Sequence, residues 1–244
     1  CWAANLTPVA VCRVCVVEVE GSRTLVPSCA RPAEEGMVVQ TDSERVRHSR
    51  RLVLELLGSG VDLTQADDLA AWIEHYDADP SRFDQPDLPA ERVEEEAKIQ
   101  DDLYIRDYEK CVLCYKCVEA CGDDAQRSYA IAVSGRGADA RISTEFDVAL
   151  PESACVYCGN CIGVCPTGAI QFKSEFDLRV AGEWRPDEQE VTRTVCSYCG
   201  VGCNLELHVQ DERIVKVTSP DDHSVTSGHL CIKGRFGWQY VQGD

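Results

Sequence analysis

Sixteen cysteines in a chain of 244 residues limit its possible structure more than any other feature. This density is far above average protein composition, so the cysteines must act as disulfides, zinc ligands or iron–sulfur ligands. By spacing they form four sets of four, with none left over: Cys1, Cys12, Cys15 and Cys29; Cys111, Cys114, Cys117 and Cys121; Cys155, Cys158, Cys161 and Cys165; and Cys196, Cys199, Cys203 and Cys231. Sixteen thiolates in groups of four match the needs of four tetrathiolate metal centres.

Disulfides and zinc are the two alternatives to iron. Disulfides need an oxidising compartment, which nothing in the sequence implies, and cysteines two residues apart are poorly placed to pair with each other. Structural zinc is the more serious alternative, because it also takes four thiolates and often uses paired Cys-x2-Cys motifs. Zinc motifs do not use a run of three cysteines in which two residues separate each from the next. The spacing therefore favours iron–sulfur clusters.

The second and third sets both read Cys-x2-Cys-x2-Cys-x3-Cys, and Pro166 follows the third set. Bacterial two-cluster ferredoxins bind [4Fe-4S] clusters with this run, and its fourth cysteine reaches the other cluster. We therefore assign one [4Fe-4S] cluster to Cys111, Cys114, Cys117 and Cys165, and its twin to Cys155, Cys158, Cys161 and Cys121. Cys121 departs from the pattern because Gly122 follows it instead of proline.

The charge of the chain excludes some partners. With 42 acidic and 24 basic residues, the formal charge is -18, which opposes binding to nucleic acid. No apolar run approaches the roughly 18 residues of a membrane span, and Cys1 does not open a signal peptide. We therefore expect a soluble, cytoplasmic protein with neither a nucleic-acid partner nor a membrane span. The missing initiator Met predicts that the sequence begins inside a longer chain.

The regions between the cysteines predict short elements. Strands are expected in residues 15–20, 24–26 and 37–40, and hairpins in 128–148 and 205–217. Thr41 and Glu44 predict a capping box for a helix that ends at Gly58. Its expected apolar face is Val46, Leu52, Val53, Leu56 and Leu57. A second helix is expected near 65–76, with Leu69, Trp72, Ile73 and Tyr76 in the core, and residues 77–90 read as a linker.

The first set has the spacing Cys-x10-Cys-x2-Cys-x13-Cys, which resembles a domain shared by three families. These are the large iron–sulfur subunit of respiratory complex I, iron-only hydrogenases and catalytic subunits of NAD-linked formate dehydrogenases. The resemblance implies a [2Fe-2S] cluster on Cys1, Cys12, Cys15 and Cys29. In these families a [4Fe-4S] site held by one His and three Cys normally follows, but residues 58–65 contain neither Cys nor His. We expect that cluster to be absent and His48 to be a surface residue.

The fourth set, with the spacing Cys-x2-Cys-x3-Cys-x27-Cys, runs into the sequence Ile-Lys-Gly-Arg-Phe-Gly. It resembles the opening of a molybdopterin oxidoreductase, which disfavours a hydrogenase. The resemblance implies a [4Fe-4S] cluster on Cys196, Cys199, Cys203 and Cys231, beside a bis-molybdopterin guanine dinucleotide cofactor with molybdenum or tungsten. It also implies that Lys233 lies between this cluster and the pterin, where its charge would tune the cluster.

The order of the motifs resembles that of formate dehydrogenase catalytic subunits. The resemblance covers almost the whole chain except residues 60–95, and implies electron transfer between a formate site and a partner subunit with FMN and NAD. That arrangement is a hetero-oligomer. The Cys or selenocysteine, His and Arg of the family's formate site lie outside the 244 residues, so we name no catalytic residue. A polyferredoxin carrier, another molybdopterin oxidoreductase and a complex I-like subunit are the alternatives.

These arguments predict an α+β iron–sulfur protein of several modules. Residues 1–60 would form a β-grasp-like [2Fe-2S] domain that is incomplete at its N-terminus, and residues 61–97 a helical segment with a linker rich in Pro and Asp. A two-cluster ferredoxin-like domain would span 98–182. The start of a molybdopterin oxidoreductase domain would span 189–244, with its catalytic remainder lying elsewhere.

Metal content tests the choice of iron over zinc. We expect anaerobically prepared protein to contain about 14 iron atoms per chain, from one [2Fe-2S] and three [4Fe-4S] clusters, with almost no zinc. Elemental analysis with labile-sulfide determination measures both. A content of about two or more zinc ions per chain would show that some of the four sets are tetrathiolate zinc sites instead.

Overall fold

Short strands and helices alternate along the chain in the computed structural model, which describes residues 1–243. In that range the strands are β1 (Val16–Val19), β2 (Val26–Pro27), β3 (Val39–Gln40), β4 (Lys98–Ile99), β5 (Tyr104–Arg106), β6 (Ala132–Ser134), β7 (Arg141–Ser143), β8 (Ile170–Phe172), β9 (Glu190–Val195), β10 (Asn204–Gln210) and β11 (Arg213–Thr218). The α-helices there are α1 (Glu44–Gly60), α2 (Asp67–His75), α3 (Lys116–Cys121), α4 (Asn160–Val164), α5 (Lys173–Val180) and α6 (Ile232–Phe236). None of the described helices is both long enough and apolar enough to span a membrane.

The first sheet has the antiparallel order β2-β1-β3. Val16 on β1 lies opposite Pro27 on β2, and Val16 is buried. Because Cys15 directly precedes β1 and Cys29 follows β2 by two residues, this pairing brings two cysteines of the first set together. The β-grasp-like architecture expected for this region stays a prediction.

Helix α1 begins at a different cap from the one predicted. The Oγ of Ser43 accepts a hydrogen bond from the Val46 N–H at 3.3 Å, so Ser43 is the N-cap and the predicted Thr41 capping box is wrong. Ser43 also donates to a carboxylate oxygen of Glu18 at 2.6 Å. The cap therefore ties the helix to β1 as well as satisfying its first turn. The helix ends at Gly60, two residues beyond the predicted stop.

The buried face of α1 also differs from the predicted one. Val46 and Leu54 are completely buried, whereas Leu56 is more than half exposed. Arg50 lies between the two buried residues along the helix and donates to the Val16 carbonyl at 2.8 Å. A buried polar side chain needs such a partner. Val46, Arg50 and Leu54 are four residues apart along the helix and form its buried face. Because this face includes the cation Arg50, the pattern of apolar residues alone did not predict it.

Residues 77–90 are attached to α1 and do not form a free linker. A 3-10 turn at Pro80–Phe83 packs against the helix, and a Cβ on Gly58 would lie 2.6 Å from the Pro80 ring. Arg82 forms a 3.2 Å ion pair with Glu55, whose side chain is buried. The prolines do prevent a long helix, as expected, but the segment gains packing from this turn.

The middle of the chain contains the largest apolar core. Strands β4, β5 and β8 form an antiparallel sheet, and β6 pairs with β7 as the hairpin predicted for residues 128–148. The buried core residues beside this sheet are Tyr104, Cys117, Ile131, Ile142, Leu150, Ile162, Ile170, Phe172 and Phe236. Phe236 belongs to α6, so the last part of the chain contributes to the same core.

The last sheet has the order β11-β10-β9. The predicted hairpin is present, with Asp211 and Glu212 between β10 and β11. Strand β9 was not predicted, although it pairs with β10 over six residues. All of its residues are exposed, so it lacks the alternation of buried and exposed positions by which a half-buried strand is recognised.

Candidate iron–sulfur centres

The second and third cysteine runs fold as a structural repeat. In each run the residues just before and just after the second cysteine have a left-handed backbone conformation, with φ between 49° and 68°. They are Leu113 and Tyr115 around Cys114, and Tyr157 and Gly159 around Cys158. These turns aim backbone N–H groups at the sulfurs of Cys111, Cys114, Cys155 and Cys158, in each case from two residues downstream. Such N–H groups are the donors that stabilise thiolates bound to iron.

Two cavities are each lined by four of these cysteines. The first is lined by Cys111, Cys114, Cys117 and Cys165. The second is lined by Cys121, Cys155, Cys158 and Cys161. We call these groups the second and third centres. The last cysteine of each run thus lines the cavity of the other run. The assignment of these residues as ligands stays a prediction.

The thiols of both centres are in an environment that disfavours uncompensated thiolates. Burial raises the pKa of Cys111 to about 11, and it raises the pKa of Cys117 and Cys161 well above the usual value. Neighbouring thiols add to each shift. Four thiolates would therefore be stable here only beside cations, and bound metal deprotonates a coordinating thiol outright.

Thiol groups from both runs surround each cavity. Within residues 1–243, no three His, Cys, Asp or Glu side chains converge closely enough to hold a single metal ion. Four thiols around each cavity, with N–H donors aimed at sulfur, fit a [4Fe-4S] cluster at the second and third centres.

A tyrosine hydroxyl reaches one sulfur of the third centre. The Tyr104 oxygen lies 2.8 Å from the Cys155 sulfur, and the side chain is buried. Burial and the nearby thiols raise the pKa of Tyr104, so the hydroxyl keeps its proton. It is therefore able to donate to a metal-bound thiolate. No spacing in the sequence pointed to this residue, because its contact is made across 51 positions.

The first set forms a more open site, the first centre. The Cys29 thiol has a raised pKa because of burial, a hydrogen bond with Cys15 and the nearby Cys12. Cys1 and Cys12 line a cavity that Cys114 of the second centre also lines. The structure therefore brings all four cysteines of the first set to one region, at the edge of the second centre. His48 is exposed on α1, as expected.

The fourth set, which we call the fourth centre, forms around the start of β10. The Cys196 N–H donates to the Cys203 carbonyl at 2.8 Å. Burial is the largest cause of the raised pKa of Cys203. The nearby thiols raise this pKa further, in the order Cys196, Cys231 and Cys199. Cys199 and Cys231 are exposed. The four thiols therefore lie close to one another, in the part of the chain that also holds Lys233.

Lys233 lies next to the fourth centre. Its ammonium is 5.8 Å from the centre of the Tyr198 ring, within the range of a cation–π contact, and Tyr198 lies between Cys196 and Cys199. The Lys233 side chain is exposed. Its predicted role beside a pterin stays a prediction.

Three known domain families match the sequence. A 2Fe-2S iron-sulfur cluster binding domain matches residues 1–44, a 4Fe-4S dicluster domain matches 110–169, and a molybdopterin oxidoreductase Fe4S4 domain matches 189–243. Each match contains cysteines of one or two of the centres. The chain therefore carries domains for both 2Fe-2S and 4Fe-4S clusters.

Several curated proteins are similar over the whole chain. An NADH-quinone oxidoreductase subunit of Rhizobium meliloti is 32% identical over 99% of this chain. The NADPH-Fe(3+) oxidoreductase subunit alpha of Geobacter sulfurreducens is 34% identical over 99% of it. A putative formate dehydrogenase of Staphylococcus haemolyticus is 25% identical over 100% of it. The chain spans 28% of the length of each of these relatives.

A solved structure also resembles the fold. A chain of the NAD+-reducing [NiFe]-hydrogenase in the H2-reduced state superposes with a TM-score of 0.60 at 27% sequence identity. The match covers 71% of this chain and 74% of the hydrogenase chain. Most of the fold is therefore shared with a subunit of that hydrogenase.

Replacement of Cys121 tests whether the two runs exchange their last ligand. We expect Cys121→Ala to disturb the cluster of Cys155, Cys158 and Cys161, because Cys121 lines their cavity. The cluster of Cys111, Cys114 and Cys117, which precede Cys121 in the sequence, should keep its electron paramagnetic resonance (EPR) signal. EPR of the reduced variant, with iron analysis, measures which cluster is changed, and Cys165→Ala is the matched control with the opposite expectation. Loss of the Cys111 cluster in Cys121→Ala would contradict the exchange.

Replacement of Tyr104 tests the hydroxyl–sulfur contact. We expect Tyr104→Phe to lower the reduction potential of the third centre, because a donor to sulfur stabilises the reduced cluster. Loss of about 1.4 kcal/mol would lower it by about 59 mV for one electron. A redox titration followed by EPR measures the shift. Tyr157→Phe is the control, since its ring lies 5.9 Å from that of Tyr104. Equal shifts in the two variants would contradict the role of the Tyr104 hydroxyl.

Geometry and comparison lead to the same description of the chain. Four groups of cysteines lie in cavities or loops that suit iron–sulfur clusters, and three cluster-binding domains match along the sequence. The chain is therefore an iron–sulfur protein with 2Fe-2S, 4Fe-4S and molybdopterin-oxidoreductase Fe4S4 domains, homologous to subunits of NADH-quinone and NADPH-Fe(3+) oxidoreductases.

Proposed function

We propose that this chain conducts electrons, one at a time, through four clusters in series. The proposed ligands are those assigned above: a [2Fe-2S] cluster at the first centre and [4Fe-4S] clusters at the other three. The observation that carries this proposal is that each centre lies next to the following one. Iron–sulfur clusters supply one-electron chemistry, with potentials set by charge, hydrogen bonds and solvent access.

The first and second centres share a cavity. Cys12 of the first centre and Cys114 of the second both line it, together with Pro166. Lys116, on the second cysteine run, lines the same cavity. Because cysteines of both centres line this one cavity, an electron would have a short path between their clusters.

The second and third centres have a common wall. Arg106, Ile131 and Ile170 line both of their cavities. Arg106 is buried and donates to the neutral side chain of Gln100 at 2.7 Å. Gln100 does not neutralise the positive charge of Arg106, so this charge would lie beside both clusters. A cation there would stabilise the added electron on either one.

The third and fourth centres meet through α6. Gly159, in the third centre's loop, packs against Arg235 and Phe236, and a Cβ at this position would lie 2.8 Å from Arg235 Cγ. These two residues belong to α6, whose N-cap is Cys231 of the fourth centre. The series of four centres is thus continuous along the molecule.

We propose that the two ends of this series meet different redox partners. At the fourth centre, Lys233 would contact a molybdenum or tungsten bis-molybdopterin guanine dinucleotide held by another part of the protein. At the first centre, a subunit with FMN and NAD would exchange electrons with the [2Fe-2S] cluster. The charge of -18, made more negative by thiolate-bound clusters, favours a partner with a basic docking face. The proposed domain division remains 1–60, 61–97, 98–182 and 189–244.

We propose formate as the electron donor, with carbon dioxide as its product. Support comes from the order of the motifs and from the similarity, at 25% identity, to a putative formate dehydrogenase. A different donor is the second candidate. The relatives at 32% and 34% identity are named for NADH-quinone and NADPH-Fe(3+) oxidoreduction. If the second candidate is correct, the chain still conducts electrons, but the electrons enter from NADH or NADPH.

Stepwise reduction of the intact protein with its partner subunits distinguishes the two donors. We expect anaerobic formate to reduce all four clusters, because electrons from the molybdopterin end pass through the whole series. Acetate, a carboxylate without a transferable hydride, is the control. EPR and optical bleaching of the clusters measure the reduction. Reduction by NADH or NADPH without any reduction by formate would exclude formate as the donor and favour the second candidate.

A further inference from the structure

We infer that one hydrogen bond, from the Leu230 N–H to the Asn160 side chain, is the route by which electrons cross between the third and fourth centres. The inference rests on the proposed electron-conducting function and assigns the crossing point within it. It makes Asn160 a positioning residue for electron transfer.

The bond joins the immediate neighbours of two cluster cysteines. Asn160 precedes Cys161 of the third centre, and Leu230 precedes Cys231 of the fourth. The Leu230 N–H donates to Asn160 Oδ1 at 2.9 Å, and the side chains of both residues are buried. A path of covalent bonds with one hydrogen bond therefore runs from one sulfur to the other. Water is kept away from this hydrogen bond, which strengthens it.

Arg235 holds this bond in position. Its guanidinium is completely buried and donates to Asn160 Oδ1 at 3.2 Å, to the Gly228 carbonyl at 3.3 Å and to the Val217 carbonyl at 3.4 Å. These three acceptors are neutral, yet a buried cation is costly unless negative charge compensates it. Cys158 and Cys161 of the third centre, followed by Asp221, are the nearby groups whose negative charge would compensate it.

The third centre's loop carries the two residues that this junction needs, and the second centre's loop carries different ones. Gly159, at φ 68°, lets Arg235 and Phe236 approach the loop to within 3.1 Å of where a Cβ would be. The second centre's loop has the same backbone conformation but carries Tyr115 and Lys116 at the two matching positions. The repeat therefore differs between its two copies at the residues that meet the fourth centre's segment.

The electron balance of the step is simple. With clusters bound at both centres, one electron would leave the reduced cluster of the fourth centre, which would be oxidised, and enter the oxidised cluster of the third centre, which would be reduced. No covalent bond forms or breaks, and no proton needs to move. The reverse direction uses the same bond.

Asn160→Ala in the intact protein with all clusters is the direct test. An electron is introduced by pulse radiolysis, without formate or nicotinamide, and its redistribution between the fourth and third centres is followed by cluster absorption. We expect a several-fold loss of rate in Asn160→Ala, with recovery in Asn160→Asp, which retains an acceptor oxygen. Asn204→Ala is the matched control, because Asn204 also neighbours a cluster cysteine but bonds to His223 within its own module.

Hydrogen–deuterium exchange distinguishes a route from a purely structural contact. The Leu230 amide should exchange faster in Asn160→Ala, which shows that the bond has been lost. Faster exchange with an unchanged electron-transfer rate would overturn the inference. Because no formate is used, failure of formate to reduce the protein would count against the proposed donor and leave this result standing.

A measurement on the unaltered protein covers the case in which Asn160→Ala loses clusters. With all clusters reduced, we expect the fourth centre to show a magnetic interaction with the third centre that exceeds its interaction with the second or first. Pulsed EPR relaxation measures this interaction. A fourth centre that relaxes independently of the third would exclude the proposed crossing.

Discussion

Four thiolates cannot share a buried cavity unless positive charge neutralises them, and the middle of the molecule is organised around this constraint. The cysteine loops use left-handed residues to point N–H groups at sulfur, and Tyr104 adds a hydroxyl. Arg106 and Arg235 bring buried cations to the same region. Each of these groups would be costly in an apolar core by itself. Together with iron, they compensate one another.

A second constraint, the short distances that the proposed electron transfer needs, explains why the modules are packed together. A conducting series needs its clusters close, so the walls between centres consist of few residues. The shared cavity of the first and second centres, the common wall of the second and third, and the Gly159 contact with α6 meet this need in three different ways. Glycine is required in the last case, because any side chain would separate the two segments.

Several errors of sequence interpretation have one physical origin. The cap of α1 is Ser43, since this residue also contacts Glu18, and the buried face contains Arg50 because a backbone carbonyl accepts its hydrogen bond. Strand β9 exists because β10 offers a pairing edge, although all of its side chains are exposed. In each case a partner distant in sequence decided the local structure. Patterns within one element do not record such partners.

The sequence by itself determined the number of cysteine sets, their spacing and the hairpins between them. These properties follow from loop lengths and turn residues, which act over a few positions. Only the tertiary structure decided that the first and second centres share a cavity, that the Tyr104 hydroxyl reaches Cys155, and that Asn160 meets Leu230 across 70 positions. Hydrogen bonds and packing between distant segments have no periodic signature, because they depend on how whole modules come together in three dimensions.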